Sequence, residues 1–348
     1  MVRMETARHI GVLIYPHAQM SAVLGLTDLF AVGERLARAR MGVDPVPEGS
    51  LLRVSHLHVS AEGEVKLEDG SSGARLDAII LPPSLGTPPE GNWTAGLNLW
   101  LRHRHGEGTV LASVCAGAFL LADTGLLDAR PATTHWLYAG VFTSRFPKVR
   151  VDVEKLLIDE GDIITAGGLM AWTDLGLRLL ERFISTEVML ETARFLLVDP
   201  PGREQRYYSA FTPPLDHGDT AIVKAQNWLR QLGLRSQGGA AGHLGAITLG
   251  QMAHEAGLEL RTFQRRFRAA TGMKPIEYCQ HLRIERARTL LPGSHMSIDE
   301  VAWEVGYADP ASFRRLFLKL AGLSPTAYRR RFSPGNGAQE GGDDGDDE

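Results

Sequence analysis

Two sets of residues in this chain have types and spacing that could do chemistry. The first is a row of arginines. Arg261, Arg265 and Arg268 recur at helical spacing, with Thr262 and Gln264 among them. Fifty positions later Ala311, Ser312, Arg314, Arg315 and Lys319 occupy a corresponding stretch. Guanidinium groups on one helix face pair with phosphates or with guanine edges, and small or polar neighbours permit close approach to bases. The second set is centred on Cys115. It follows the apolar run at 109–114 and precedes Ala116 and Gly117, a strand-to-helix turn that lifts one side chain to the top of a sheet. Backbone amides and a helix N-terminus there would lower a thiol pKa and attract anions or carbonyl oxygens. His135, 20 residues on, is of the right type to assist covalent catalysis.

The arginine rows sit inside a duplicated pattern. Ala253, Gly257, Phe263, Phe267, Gly272, Pro275 and Tyr278 recur as Ala302, Gly306, Phe313, Phe317, Gly322, Pro325 and Tyr328. The offset is 49 up to the glycine and 50 beyond it, so the second turn carries one extra residue. A repeat of this period implies one supersecondary unit used twice. Each unit reads as helix, tight turn, helix. Thr248 with Gln251 and Ser297 with Glu300 form capping-box patterns, the glycines suit the turns, and Asp309 with Pro310 starts the second long helix. Glu259 is a weaker cap at the equivalent place. Short helix, glycine turn, then a helix with a cationic face is the helix-turn-helix device for the major groove.

Charge is partitioned in the same way. The chain is −4 overall, whereas residues 244–332 hold 14 Lys and Arg against 8 Asp and Glu, a net of +6. Residues 333–348 carry six acids and no base, a composition expected to be disordered. Overall acidity thus conceals a basic module.

The first half alternates strands and helices. Residues 9–15, 51–59, 76–82 and 109–114 read as strands, and 21–38 and 93–103 as helices, which predicts a parallel sheet with helices on both faces. No run of about 18 apolar residues occurs, so no membrane span is expected. No signal-peptide core precedes the first strand. Two cysteines make no disulfide framework, so a reducing cytoplasm is expected. The histidines and cysteines show no ligand spacing, so neither metal nor cofactor is expected.

Residues 220–332, with RTFQRRFRAATGMKPIEY, LRIERARTLL, VAWEVGYADPASFRRLF and GLSPTAYRRRF, resemble the DNA-binding domain of AraC/XylS transcription regulators. The resemblance implies two helix-turn-helix units joined by a long helix, with both reading helices in successive major grooves on one face of double-stranded DNA. Residues 8–199, through SVCAGAFLLADTGLLDARPATTHW and ITAGGLMAWTDLGLRLLERF, resemble the PfpI-type branch of the class I glutamine amidotransferase-like superfamily, which implies a flavodoxin-like α/β fold.

The domains are therefore expected at 8–199 and 220–332, with a linker at 200–219, a flexible loop at 237–243 and an acidic tail at 333–348. The expected function is sequence-specific DNA binding by a transcription regulator. Arg261, Thr262, Gln264 and Arg265 read bases in the first unit, and Ala311, Ser312, Arg314 and Arg315 in the second. A small-molecule effector is expected near Cys115, Ala116, Gly117, His135 and Gly168. A homodimer and a contact with RNA polymerase are expected partners. In enzymes of the superfamily an acidic residue faces the cysteine; the matching position here is Ala22. That departure counts against the alternative, a cysteine-dependent hydrolase, hydratase or amidotransferase with a DNA-binding appendage.

Overall fold

The computed structural model describes residues 7–41, 50–68, 74–235 and 247–333. The loop expected at 237–243 and the tail beyond Ser333 lie outside the described residues. The chain divides into two compact units, Met1–Gln205 and Arg206–Glu348.

In chain order the first unit contains β1 (Arg8–Ile14), α1 (Met20–Met41), β2 (Leu52–Val59), β3 (Val65–Leu67), β4 (Ala78–Leu81), α2 (Trp93–Gly106), β5 (Val110–Val114) and α3 (Gly117–Asp123). There follow β6 (Pro131–Ala132), α4 (Ala139–Arg145), β7 (Arg150–Val151), β8 (Leu157–Asp159), β9 (Ile163–Ala166), α5 (Trp172–Phe183) and α6 (Thr186–Leu196). The main sheet runs β3-β2-β1-β4-β5-β9-β8. Its five central strands are parallel, and only the edges β3 and β8 are antiparallel. Successive residues explain the unbroken apolar runs. Ile10, Val12, Ile80 and Ala112 pack under α1, α5 and α6. Leu13, Ile79, Leu81 and Leu111 pack on the opposite face with α2, α3 and α4. Both faces are covered, so β4, β5, β9 and most of β1 are largely apolar on both sides, whereas β2, next to the edge, keeps Arg53, Ser55, His56 and His58. This is the flavodoxin-like α/β arrangement expected.

The second unit is all-helical: α7 (Thr220–Arg235), α8 (Leu249–Glu255), α9 (Leu260–Thr271), α10 (Pro275–Gly293), α11 (Ile298–Glu304), α12 (Pro310–Ala321) and α13 (Pro325–Phe332). It has two cores threaded on one helix. Tyr278 and Cys279 of α10 join Ile222, Met252, Phe263 and Phe267. Ile284, Ala287 and Leu291 of the same helix join Val301, Phe313, Phe317 and Tyr328. Equivalent aromatic pairs repeat nearly the same geometry. Phe267 meets Tyr278 edge-on at 5.2 Å, and Phe317 meets Tyr328 edge-on at 5.4 Å.

The stretch 200–219, expected as a linker, makes specific contacts. Gln205 is buried within the first unit. In the second, Arg288 of α10 donates to the carbonyls of Arg206 and Ser209, and Phe211 stacks on His281 at 4.7 Å.

Candidate nucleic-acid interface

Caps and turns set the two reading helices, α9 and α12. Thr248 and Gln251 close a capping box at the start of α8, and Ser297 and Glu300 do so for α11. The chain then reverses at Gly257 (φ 66°) and Gly306 (φ 88°), a left-handed conformation that glycine adopts without a Cβ clash. Asp309 accepts from the amides of Ala311 and Ser312 at 3.0 Å each, while Glu259 makes no such bond. Pro275, Pro310 and Pro325 each occupy a first helical turn, where a missing N–H loses nothing.

From 261 to 270 and from 311 to 320 the two reading helices have the same burial pattern, residue for residue. Phe263, Phe267, Phe313 and Phe317 point into the cores. Arg261, Gln264 and Arg265 are exposed on α9, and Ala311, Arg314 and Arg315 on α12, with Thr262 and Ser312 half-buried beside them. The sequence-derived DNA-contact residues therefore lie on one outward face in each unit. Their engagement differs. Among the described residues, Arg261, Gln264 and Arg265 have no hydrogen-bond or ion-pair partner. Arg314 instead pairs with Asp299 at 2.6 Å, and Arg315 bonds the Ser312 hydroxyl at 2.9 Å, with Asp309 at 3.8 Å. Sequence reasoning did not anticipate the Arg314 tether, because its Asp299 partner comes from the preceding helix; the partners of Arg315 are local to α12 and its cap. Arg266, between the exposed residues, is structural: it grips Asp219 at 2.6 Å and ties α9 to the start of α7.

The residues expected to line an effector site are not all accessible. Cys115 has the left-handed φ of 54° that the strand-to-helix turn demands. It and Ala116 are fully buried. A Cβ on Gly117 would collide with the Leu81 and Pro82 carbonyls. Tyr15 seals this edge, donating to the Pro82 carbonyl at 2.6 Å and stacking on Trp93. Burial pushes the Cys115 thiol up to about 12; a bond from the Ala116 amide offsets only part of this. No hydrogen bond joins Cys115 to His135 among the described residues. The His135 ring accepts from the Leu137 amide at 3.1 Å and caps a short 3-10 turn, and partial burial lowers its pKa. Ala22, at the place of the expected acid, is itself fully buried. Gly168 is half-buried, and a Cβ there would touch only Leu156. Gln205 fixes the neighbouring loop: its amide donates to the carbonyls of Thr134 and Val153 and accepts from the Trp136 N–H. Nothing local in the sequence marks Gln205 for this role. Among the described residues no His, Cys, Asp or Glu cluster could hold a metal, and no helix is long and apolar enough to cross a membrane.

Comparison with known proteins agrees with both halves of this picture. The DJ-1/PfpI family matches residues 24–182, and a helix-turn-helix domain family matches residues 252–331. The chain joins a DJ-1/PfpI domain to an AraC-type helix-turn-helix domain and is a DNA-binding transcription regulator of that type. It is similar to the HTH-type transcriptional regulator GlxA of Rhizobium meliloti, 28% identical over 71% of this chain and 73% of that protein. It is also similar to the HTH-type transcriptional regulator CdhR of Pseudomonas aeruginosa, 27% identical over 81% of this chain and 79% of that one. Isonitrile hydratase of Pseudomonas putida is 26% identical over 62% of this chain and 85% of its own length.

Proposed function

We propose that this cytoplasmic regulator reads promoter or operator duplex through both helix-turn-helix units. Arg261, Thr262, Gln264 and Arg265 form one reading face, and Ala311, Ser312, Arg314 and Arg315 the other. The N-terminal domain binds a small effector or pairs two copies of the chain and catalyses nothing; RNA polymerase is its neighbour at the promoter. The observation that carries this reading is the in-phase duplication, with two helices of identical burial each turning an outward face that carries arginines. Selection of bound sequences from random duplex by the full chain, at stated salt, is expected to return two blocks about one turn, roughly 34 Å, apart. Sequence-blind binding with only a salt dependence would sink the reading.

The accessible part of the proposed effector site around Cys115, Ala116, Gly117, His135 and Gly168 is its rim, His135 and Gly168. The isonitrile hydratase relative motivates the enzymatic alternative. Burial of the thiol, the missing carboxylate at Ala22 and the absent Cys115–His135 bond weigh against it. A thiol with a pKa near 12 is ionised at pH 7 to only about one part in 10⁵. Iodoacetamide is therefore expected to leave Cys115 unmodified in the folded protein. Rapid labelling, together with isonitrile hydration lost in Cys115→Ala, would establish the enzyme instead.

A further inference from the structure

The outer face of α9 borders a groove of about 890 Å³ lined by four cations, Arg261, Arg265, Arg268 and Lys274, against one carboxylate, Glu277. The outer face of α12 borders a second groove, of about 290 Å³, with Arg315 and Lys319. One residue lines both: Gln280, on the second turn of α10. It is half-buried, and among the described residues its amide has no hydrogen-bond partner. An unengaged amide at the junction of two basic grooves has donors to spare.

We propose that Gln280 is a third contact to the duplex, a positioning residue that donates to a backbone phosphate between the two major grooves. The inference rests on the reading face assigned above. If α9 and α12 enter successive major grooves on one side of the duplex, the minor groove and its two flanking phosphate strands cross the surface between them. That surface is where Gln280 lies. A base edge there would be at the floor of a groove about 6 Å wide and 7.5 Å deep. A half-buried glutamine in a concavity does not extend that far, whereas a protruding phosphate can come to it. The cations on either side focus the duplex backbone onto the same place. The amide is neutral, so it releases no counterion; it fixes register without steepening the salt dependence.

The test uses the full chain, its selected DNA site and a set of sites altered only between the two blocks. Loss of one such hydrogen bond in Gln280→Ala is expected to weaken binding roughly three- to tenfold. The loss should be equal across all spacer sequences, with an unchanged salt slope. Gln280→Arg is expected to restore or tighten binding and to steepen the log–log salt slope by about 0.9. Gln280→Glu should weaken binding more than alanine does. Unchanged affinity in both the alanine and glutamate variants overturns the proposal, as does a loss confined to particular spacer sequences, which would make Gln280 a base reader. Arg261→Ala in the same assay separates the two levels. If it weakens binding while the Gln280 variants do not, only this proposal falls. If it too is silent, the assigned face is wrong. A raised affinity with Gln280→Arg keeps the test decisive should the alanine variant fold poorly.

Discussion

Among the described residues, α9 turns Arg261 and Arg265 to solvent without a partner, whereas α12 holds Arg314 on Asp299 and Arg315 beside Ser312 and Asp309. Beneath that difference the scaffolds match, with the same pattern of buried and exposed residues, equivalent Phe–Tyr contacts and left-handed glycines in both turns. The inward face must fill a core of given shape and so is duplicated closely. The outward face fills no core, makes at most exposed polar contacts among the described residues, and is free to diverge. On the proposed reading, Arg261 and Arg265 of the first unit engage DNA without breaking any contact made among the described residues. On the same reading, the second must first release Arg314 from Asp299 and Arg315 from Ser312 and Asp309, exposed contacts that cost little to break.

The largest expected effect tests the shared scaffold. Gly272→Ala forces an L side chain into the left-handed region at an otherwise open site and should cost about 1–2 kcal/mol. Gly322→Ala carries the same strain and also pushes aside the Arg206 and Tyr207 side chains, so denaturant unfolding should show a somewhat larger loss. Equal losses would mean the two caps are interchangeable. Next in size, Arg265→Ala should cost about 1–3 kcal/mol of binding and relax one base position. Arg315→Ala should cost less, because the wild-type side chain must first leave Ser312 and Asp309; a titration showing the reverse order breaks the comparison. Asp299→Asn frees Arg314 and should tighten binding about two- to fivefold with a steeper salt dependence. The smallest effect is local. The Ser312 hydroxyl and the Ala311 and Ser312 amides hold the Asp309 carboxyl below its usual range. Its capping is therefore complete above the ordinary Asp value near 3.9 and is lost as pH falls through the depressed one. Amide-exchange protection at Ala311 and Ser312 should drop in acid, while that at Arg261 and Thr262, after an uncapped Glu259, should hardly change.

Much of the second unit was legible because its signals are local. Glycine, proline and capping residues act on neighbours within a few positions, and phenylalanines at helical spacing mark the buried side without reference to the rest of the chain. The parallel strands were legible for a related reason: burial on both faces writes an apolar run. The three-residue edges β3 and β8 and the two-residue β6 and β7 carry too few residues to show a period. The elbow at Cys115 could be read from its small residues, but not its closure, which Tyr15 and Trp93 bring from distant positions. The same holds for Asp299, which reaches Arg314 from the preceding helix, and for Gln280, which lies on α10 between the outer faces of α9 and α12.

One consequence follows from α10. It is a single helix of 19 residues that belongs to both cores, so it spans about 28 Å without a joint. The protein therefore carries a fixed measuring rod. Inserting one base pair between the two blocks of an operator rotates one against the other by roughly 34–36°. A rod shared by two packed cores has no loop in which to absorb that turn. Promoters under this regulator should tolerate changes in spacer sequence far better than changes in spacer length.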